Sequence, residues 1–155
     1  MSDNENSKNK FAVCSLLLFI ALFLQLNWKV GFGWAPELVM ASLIIFGLYL
    51  GVLEMTVLSA LGVFILNWRP VPGYEILFFF FVPFLNIFAR RIFPWRTELN
   101  NIAGIILSVS IFYSISNPGG IAANSYLFAL IILITAGFGA AVFQILNYFY
   151  KISVI

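Results

Sequence analysis

The chain has 155 residues, of which 63% are hydrophobic and only 9% are charged. Since a soluble domain carries about 25% charged residues, this composition excludes a soluble globular fold and predicts an integral membrane protein. The chain has no histidine and one cysteine, which excludes histidine-based catalysis, most transition-metal sites and an internal disulfide. The basic residues stand at the ends of apolar runs, a pattern typical of membrane topology and not of nucleic-acid binding.

The chain begins with a polar segment and a first apolar run. Residues 1–10 mix both charges and predict a short disordered cytoplasmic tail, and residues 11–27 predict the first transmembrane helix. Lysines before an apolar run also occur in signal peptides, but no small-x-small cleavage site follows here. The run ends in Asn27-Trp28-Lys29, an interfacial ending with an aromatic residue and a cation. A Gly-containing connection, 30–35, then precedes the next apolar run.

The next apolar run, residues 36–67, is too long for one span. A continuous helix of this run would be roughly 48 Å long at about 1.5 Å per residue, whereas the hydrocarbon core of a bilayer is about 30 Å thick. Gly47 and Gly51 stand in the middle of the run and predict a tight turn. We therefore expect a hairpin of two short spans, 36–50 and 52–67.

The remainder of the chain predicts three further spans, which loop and turn motifs delimit. Pro-Val-Pro-Gly at 70–73 is a loop, Asn-Pro-Gly-Gly at 117–120 is a turn, and Pro83 should kink the span that contains it. The fold class is therefore an all-α membrane bundle, with residues 11–151 forming a single transmembrane domain. Its six predicted spans are 11–27, 36–50, 52–67, 74–89, 101–116 and 124–147.

The distribution of basic residues predicts the orientation of this bundle. Six spans with a cytoplasmic N-terminus place six basic residues inside and two outside, in agreement with the positive-inside rule. A single span over 36–67 would place three inside and five outside, so the rule favours the hairpin and two cytoplasmic termini. The residues predicted inside are Lys8, Lys10, Arg90, Arg91, Arg96 and Lys151, and those outside are Lys29 and Arg69.

Glu54 is the most unusual of the polar residues, because it lies within an apolar run. Carboxylates inside membranes are costly and often functional, which favours a buried contact, a ligand site or a hydrogen bond to a partner. The alternative is that Glu54 follows the turn at Gly51 closely enough to cap its own helix and to reach water at the headgroups. The sequence favours the capping interpretation.

Two further carboxylates begin predicted helices on the outer side. Glu37 and Glu75 suit the positive end of a helix dipole, and this is the simpler interpretation of both. The alternative is an outward-facing pocket for a small polar ligand or a partner. Its lining would comprise Glu37, Glu75, Trp34, Trp68 and Tyr74.

The segment between the fourth and fifth spans holds the densest group of cations. Arg90, Arg91 and Arg96 are interpreted mainly as orientation signals and headgroup contacts, and alternatively as a docking site to which Trp95 contributes apolar surface. The sequence has no P-loop, metal-ligand cluster or nucleophile elbow. We therefore expect no catalytic residues, no metal, no cofactor and no enzymatic activity.

The layout resembles a known family. Six short apolar spans with cytoplasmic ends, Pro36-Glu37-Leu38 at the start of the second span, and the glycine hairpin before S-A-L-G-V-F-I-L-N at 59–67 together resemble the rod shape-determining protein MreD. That family is similar in size and fold to the substrate-binding S components of energy-coupling-factor vitamin transporters. S components often carry an Ala-x-x-x-Ala patch in the first span, which 11–27 lacks, so MreD is the favoured resemblance.

The resemblance to MreD implies a non-enzymatic scaffold of the bacterial inner membrane. Such a multi-pass protein would organise cell-wall elongation, peptidoglycan synthesis and cell shape through protein–protein contacts. Its implied partners are membrane lipids, an MreC-like protein and other wall-synthesis membrane proteins. The alternative is an S component that holds a small vitamin-like molecule in an outward pocket and docks an ATP-driven module.

Overall fold

The structure, a computed structural model, describes residues 2–66, 77–78, 80–82, 84, 97–116 and 118–150, and gives only the backbone of residues 2–6, 97, 98 and 122. All regular secondary structure in these residues is helical, in agreement with the predicted all-α class. The helices are α1 (Ser2–Phe32), α2 (Leu38–Phe46), α3 (Val52–Leu66), α4 (Thr97–Ser116), α5 (Pro118–Ala123) and α6 (Ser125–Tyr150). The predicted fourth span is described only at helical residues between 77 and 84.

Within the described residues, three helices are long and apolar enough to cross a membrane, and they are consistent with a membrane protein. They cover Ser7–Phe32, Leu99–Ser116 and Ser125–Tyr150, and they contain or match the first, fifth and sixth predicted spans. The apolar helix α3 has 15 residues and is shorter than a typical span. The count of six spans and the orientation stay predictions.

α2 lies at the centre of the bundle. All nine of its residues are buried, and it packs against α1, α3, α4 and α6. Its surface is apolar on every side except at Ser42, whose hydroxyl donates to the Leu38 carbonyl at 2.9 Å. A helix that is apolar on almost every side must be covered either by lipid or by other helices. The sequence does not distinguish these two environments, and the structure shows that neighbouring helices cover α2.

α2 is shorter than the predicted span 36–50. Nine residues make about 14 Å of helix, roughly half the thickness of a bilayer core. The chain stays non-helical from Gly33 to Glu37, and Gly33 has a φ of 74°, a left-handed conformation that glycine adopts without strain. The helix then ends at the predicted turn, where Leu48 N–H donates to the Ile45 carbonyl at 2.9 Å. The predicted turn at Gly47–Gly51 is thus present between α2 and α3, whereas the two membrane spans predicted on either side of it stay a prediction.

The prediction of a disordered tail over residues 1–10 differs from the structure, in which α1 begins at Ser2. Two contacts hold this end of α1 against the bundle. The Ser7 hydroxyl donates to Glu54 Oε1 at 2.6 Å, and Lys10 Nζ lies 5.8 Å from the ring centroid of Tyr150. A cation over an aromatic face is attractive, so the polar segment gains contacts with α3 and α6 that its composition does not reveal.

The small residues of α6 allow α4 and α2 to approach it closely. Gly139 is buried, and a Cβ atom there would collide with the Ile105 side chain of α4 and lie 3.5 Å from Ala41 Cβ of α2. Gly137, two residues earlier, faces open space. Glycine at 139 therefore permits the packing of three helices at one point.

We predict that Gly139→Ala lowers the free energy of unfolding by about 1–3 kcal/mol, because Ile105 is wholly buried and cannot move aside without strain. Gly137→Ala is the matched control. It should be neutral or stabilising by up to about 1 kcal/mol, because alanine is the better helix former. Thermal unfolding in detergent followed by circular dichroism measures both, and equal effects would contradict the packing described for Gly139.

Candidate binding site

Glu37 lies at the buried start of α2, inside the bundle. Its backbone is non-helical, with φ −84° and ψ 62°. Its carboxylate accepts two hydrogen bonds from other helices: Gln25 Nε2 of α1 donates to Oε2 at 3.0 Å, and the Tyr113 hydroxyl of α4 lies 3.2 Å from Oε1. Both bonds join residues that are distant in sequence, so this carboxylate links α1, α2 and α4.

The backbone N–H groups at the start of α2 are satisfied from outside the helix. The first N–H groups of any helix lack an intrahelical acceptor. Here Thr135 Oγ1 of α6 accepts from Glu37 N–H at 3.1 Å, and Gln25 Oε1 accepts from Val39 N–H at 3.0 Å. The Glu37 side chain makes no capping hydrogen bond. Glu37 therefore lies at the start of a helix, as predicted, but the acceptors for these N–H groups come from α1 and α6, and its carboxylate is hydrogen-bonded to α1 and α4.

Tyr113 is held in place by aromatic and polar contacts. Its ring meets the Phe128 ring of α6 edge to face, with centroids 5.8 Å apart. Its hydroxyl lies 3.3 Å from the Ala35 carbonyl as well as 3.2 Å from the Glu37 carboxylate. Since a tyrosine hydroxyl has one proton, it can donate to one of these acceptors at a time.

These groups line an open cavity of about 570 Å³, which we call the Glu37 cavity. Its walls come from α1, the segment 33–37, α4, α5 and α6. Glu37, Gln25 and Tyr113 are among its polar lining groups, together with Lys29 and Asn124. Lys29 is exposed and lies one helical turn after Gln25, towards the C-terminal end of α1. The cavity thus presents a carboxylate, amides, a phenol and an ammonium group.

A cluster of Trp28, Phe32 and Trp34 meets the cavity through Trp34. Trp28 lies with its centroid 5.8 Å from that of Phe32 and 5.8 Å from that of Trp34, which is half-buried and lines the cavity. The indole N–H of Trp28 is buried without a hydrogen-bond partner. Aromatic rings beside convergent polar groups are a common composition of small-molecule sites.

Glu54 lies at the opposite end of the bundle. Its Oε2 accepts from Gly51 N–H at 3.0 Å, while Oε1 accepts from the Ser7 hydroxyl. The bond to Gly51 caps the start of α3, in agreement with the capping interpretation, and the bond to Ser7 adds a contact with α1. Ser7, Lys10 and Glu54 line a second, open groove of about 610 Å³.

The structure brings together two of the residues predicted to line an outward pocket, Glu37 and Trp34. Glu54, a further predicted site residue, lies apart from them at the opposite end of the bundle, and the remaining predicted site residues lie outside the described residues. They are Glu75, Trp68, Tyr74, Arg90, Arg91, Trp95 and Arg96.

Sequence reasoning missed Gln25, Tyr113 and Thr135 as members of the site. Gln25 carries a signal, because an amide within the apolar run of residues 11–26 is unusual. Tyr113 and Thr135 carry little signal, since both residue types occur widely in transmembrane helices.

Comparison with models of protein families, with curated proteins and with solved structures finds no match.

We predict that Tyr113→Phe lowers the free energy of unfolding by about 1–3 kcal/mol, because the buried Glu37 carboxylate loses a donor. Ser114→Ala is the control at the next position. The Ser114 hydroxyl is exposed and donates to the Ser110 carbonyl of its own helix at 2.7 Å, so its loss should change stability by less than about 0.5 kcal/mol. Unfolding in detergent measures both variants, and a Tyr113→Phe protein as stable as Ser114→Ala would refute this role of the hydroxyl.

Proposed function

We propose that this chain is a non-enzymatic membrane protein that binds a small polar organic molecule in the Glu37 cavity. The observation that carries the proposal is the convergence of Glu37, Gln25 and Tyr113 on an open cavity of about 570 Å³. Pockets for drug-sized molecules measure about 300–1,000 Å³ and hold a few placed polar groups. This is the role that the resemblance to S components of vitamin transporters implies.

The chemistry of the cavity supports a ligand with both donors and acceptors. Glu37 offers carboxylate oxygens deep in the bundle, whereas Lys29 offers an ammonium group nearer its open end. The half-buried ring of Trp34 adds an apolar surface. A polar molecule with an aromatic or otherwise flat part, of the size of a vitamin, matches this set of groups.

The need to cap α2 does not account for Glu37. Gln25 and Thr135 accept from the N–H groups of α2, whereas the Glu37 side chain makes no capping bond. Carboxylates within a membrane are costly and often serve function, and this one borders the cavity as well as joining α1 and α4. The carboxylate therefore supports ligand binding more directly than its neighbours do.

Binding is tested with the protein purified in mild detergent, by native mass spectrometry. We predict a bound small molecule at about one per chain, and at least a tenfold lower occupancy in Glu37→Gln, which keeps the size of the side chain but removes its charge. Glu54→Gln is the matched control at the opposite end of the bundle and should retain the molecule. The absence of any bound molecule, or equal occupancy in both variants, would refute the proposal.

We further propose that the protein spans the inner membrane six times, with both termini in the cytoplasm. The hydrogen bond from Ser7 to Glu54 supports a common side for the N-terminal part of α1 and the turn of the hairpin, and the positive-inside rule favours the cytoplasmic side for both. Lys8 and Lys10 belong to this end, and Lys29 to the other. The Glu37 cavity then opens on the outer side, as a site that receives an external ligand requires.

Orientation is tested by labelling Thr97→Cys in intact cells with a membrane-impermeant maleimide, in a Cys14→Ser background that removes the cysteine of α1. We predict labelling only after the cytoplasmic side is opened, because residue 97 begins the helix that runs outward. Asn124→Cys, at the other end of the bundle, is the matched control and should react in intact cells. Labelling of residue 97 from outside would overturn the six-span orientation.

The scaffold role implied by the resemblance to MreD is the second candidate. The open groove of about 610 Å³ beside Ser7, Lys10 and Glu54 favours it, because a polar groove on the proposed cytoplasmic side suits a segment of a protein partner. In that role the chain would contact an MreC-like protein and other wall-synthesis proteins in the elongation complex. Co-purification of such proteins without a bound small molecule supports the scaffold, whereas a stoichiometric vitamin excludes it.

A further inference from the structure

Asn101 is a buried amide without a hydrogen-bond partner. It lies in the second turn of α4, is only 2% exposed, and neither its Oδ1 nor its Nδ2 finds a partner. Buried polar side chains are nearly always hydrogen-bonded, because an unpaired amide loses its interaction with water and gains nothing in return. An unpaired amide in a helix that is apolar enough to span a membrane therefore indicates a missing partner group.

Asn101 borders a small cavity between α4 and α6, of about 70 Å³. Ile45 of α2 and Ala140 and Gln144 of α6 also line it. This volume accommodates one side-chain amide and is far too small for a cofactor or a vitamin. Because Ala140 is small, another helix can approach this part of α6 closely.

Gln144 is a second polar group at the same place. It is exposed on the surface of α6, within a segment apolar enough to span a membrane. An amide that faces lipid is costly, and amides of this kind often hydrogen-bond across a helix–helix interface. A carboxamide both donates and accepts, which is what the unpaired Oδ1 and Nδ2 of Asn101 require.

We propose that the α4–α6 cavity is the contact between two copies of this chain, in which Gln144 of each copy inserts its amide beside Asn101 of the other. Gln144 and Asn101 border one cavity. A twofold axis beside this edge of α6 therefore places Gln144 of each copy next to Asn101 of the other. Such an interface is self-complementary. It pairs four amides that otherwise remain unpaired or exposed to lipid.

The experiment measures dimerisation of the full chain in lipid bilayers. Fluorescently labelled protein is reconstituted at a series of protein-to-lipid ratios, and energy transfer gives the dissociation constant. Asn101→Leu and Gln144→Leu each remove the contact while nearly preserving side-chain volume. Asn27→Leu is the matched control, since Asn27 is an exposed amide of α1 that donates to the Phe23 carbonyl of its own helix.

We expect a wild-type dimer, and a dissociation constant about tenfold higher for Asn101→Leu and for Gln144→Leu. Each substitution removes two symmetric contacts, and one interhelical hydrogen bond changes association by about threefold on average. Asn27→Leu should change the constant by less than about twofold. The Asn101→Leu monomer should unfold at a temperature no lower than the wild type, because leucine removes a buried unpaired amide, and this result separates lost dimerisation from misfolding.

Two outcomes would overturn the proposal. Wild-type protein that stays monomeric at every ratio would mean that ordered water fills the cavity, or that Gln144 turns inward to Asn101 of its own chain. A dimer whose dissociation constant is unchanged in both leucine variants would place the interface on another face. If Gln144→Leu weakens the dimer and Asn101→Leu does not, the pairing proposed here is also wrong.

Discussion

The structure depends on how a helix can begin inside an apolar bundle. Such a helix leaves its first backbone N–H groups without intrahelical acceptors and away from water. In α2, Gln25 supplies an acceptor from α1 and Thr135 supplies one from α6. These two side chains allow a short helix, apolar except at Ser42, to lie at the centre of the fold, and they fix its position along α1 and α6.

The cavity is a geometric consequence of this arrangement. α2 starts at the level of Gln25, whereas α1 continues to Phe32, seven residues or about 10 Å further. The space beyond the start of α2 is therefore bounded by longer helices and has no helix at its centre. Glu37 lies where this space meets the buried core, so its carboxylate is both held by α1 and α4 and open to the cavity.

Much of the fold could be predicted from the sequence, because lipid imposes strong limits on length and charge. The apolar runs predicted the long helices, and the excess length of 36–67 together with Gly47 and Gly51 predicted the turn between α2 and α3. Burial of α2 was not predictable, since an entirely apolar segment has no polar face to distinguish lipid from protein neighbours. The helical extension over residues 2–10 depends on Glu54 and Tyr150, whose proximity only the tertiary structure supplies.

The binding site was predictable only in part. Glu37 and Trp34 are close in sequence, and the interfacial pattern around them pointed to an outward pocket. Tyr113 and Thr135 lie 76 and 98 residues from Glu37. Their contribution depends on how α4 and α6 pack against α2, which no local periodicity encodes. Gln25 was visible as an unusual amide, but its role in capping α2 requires knowing that α2 begins beside it.

The distance in sequence between Glu37 and Thr135 also constrains how the protein is made. At nine residues α2 is too short to span a bilayer alone, and the Thr135 hydroxyl that accepts from Glu37 N–H is synthesised 98 residues after Glu37. Gln25 is synthesised before α2, so its hydrogen bond with Val39 N–H can form as soon as α2 has been made. The start of the central helix therefore reaches its final hydrogen bonding only after most of the chain has been translated.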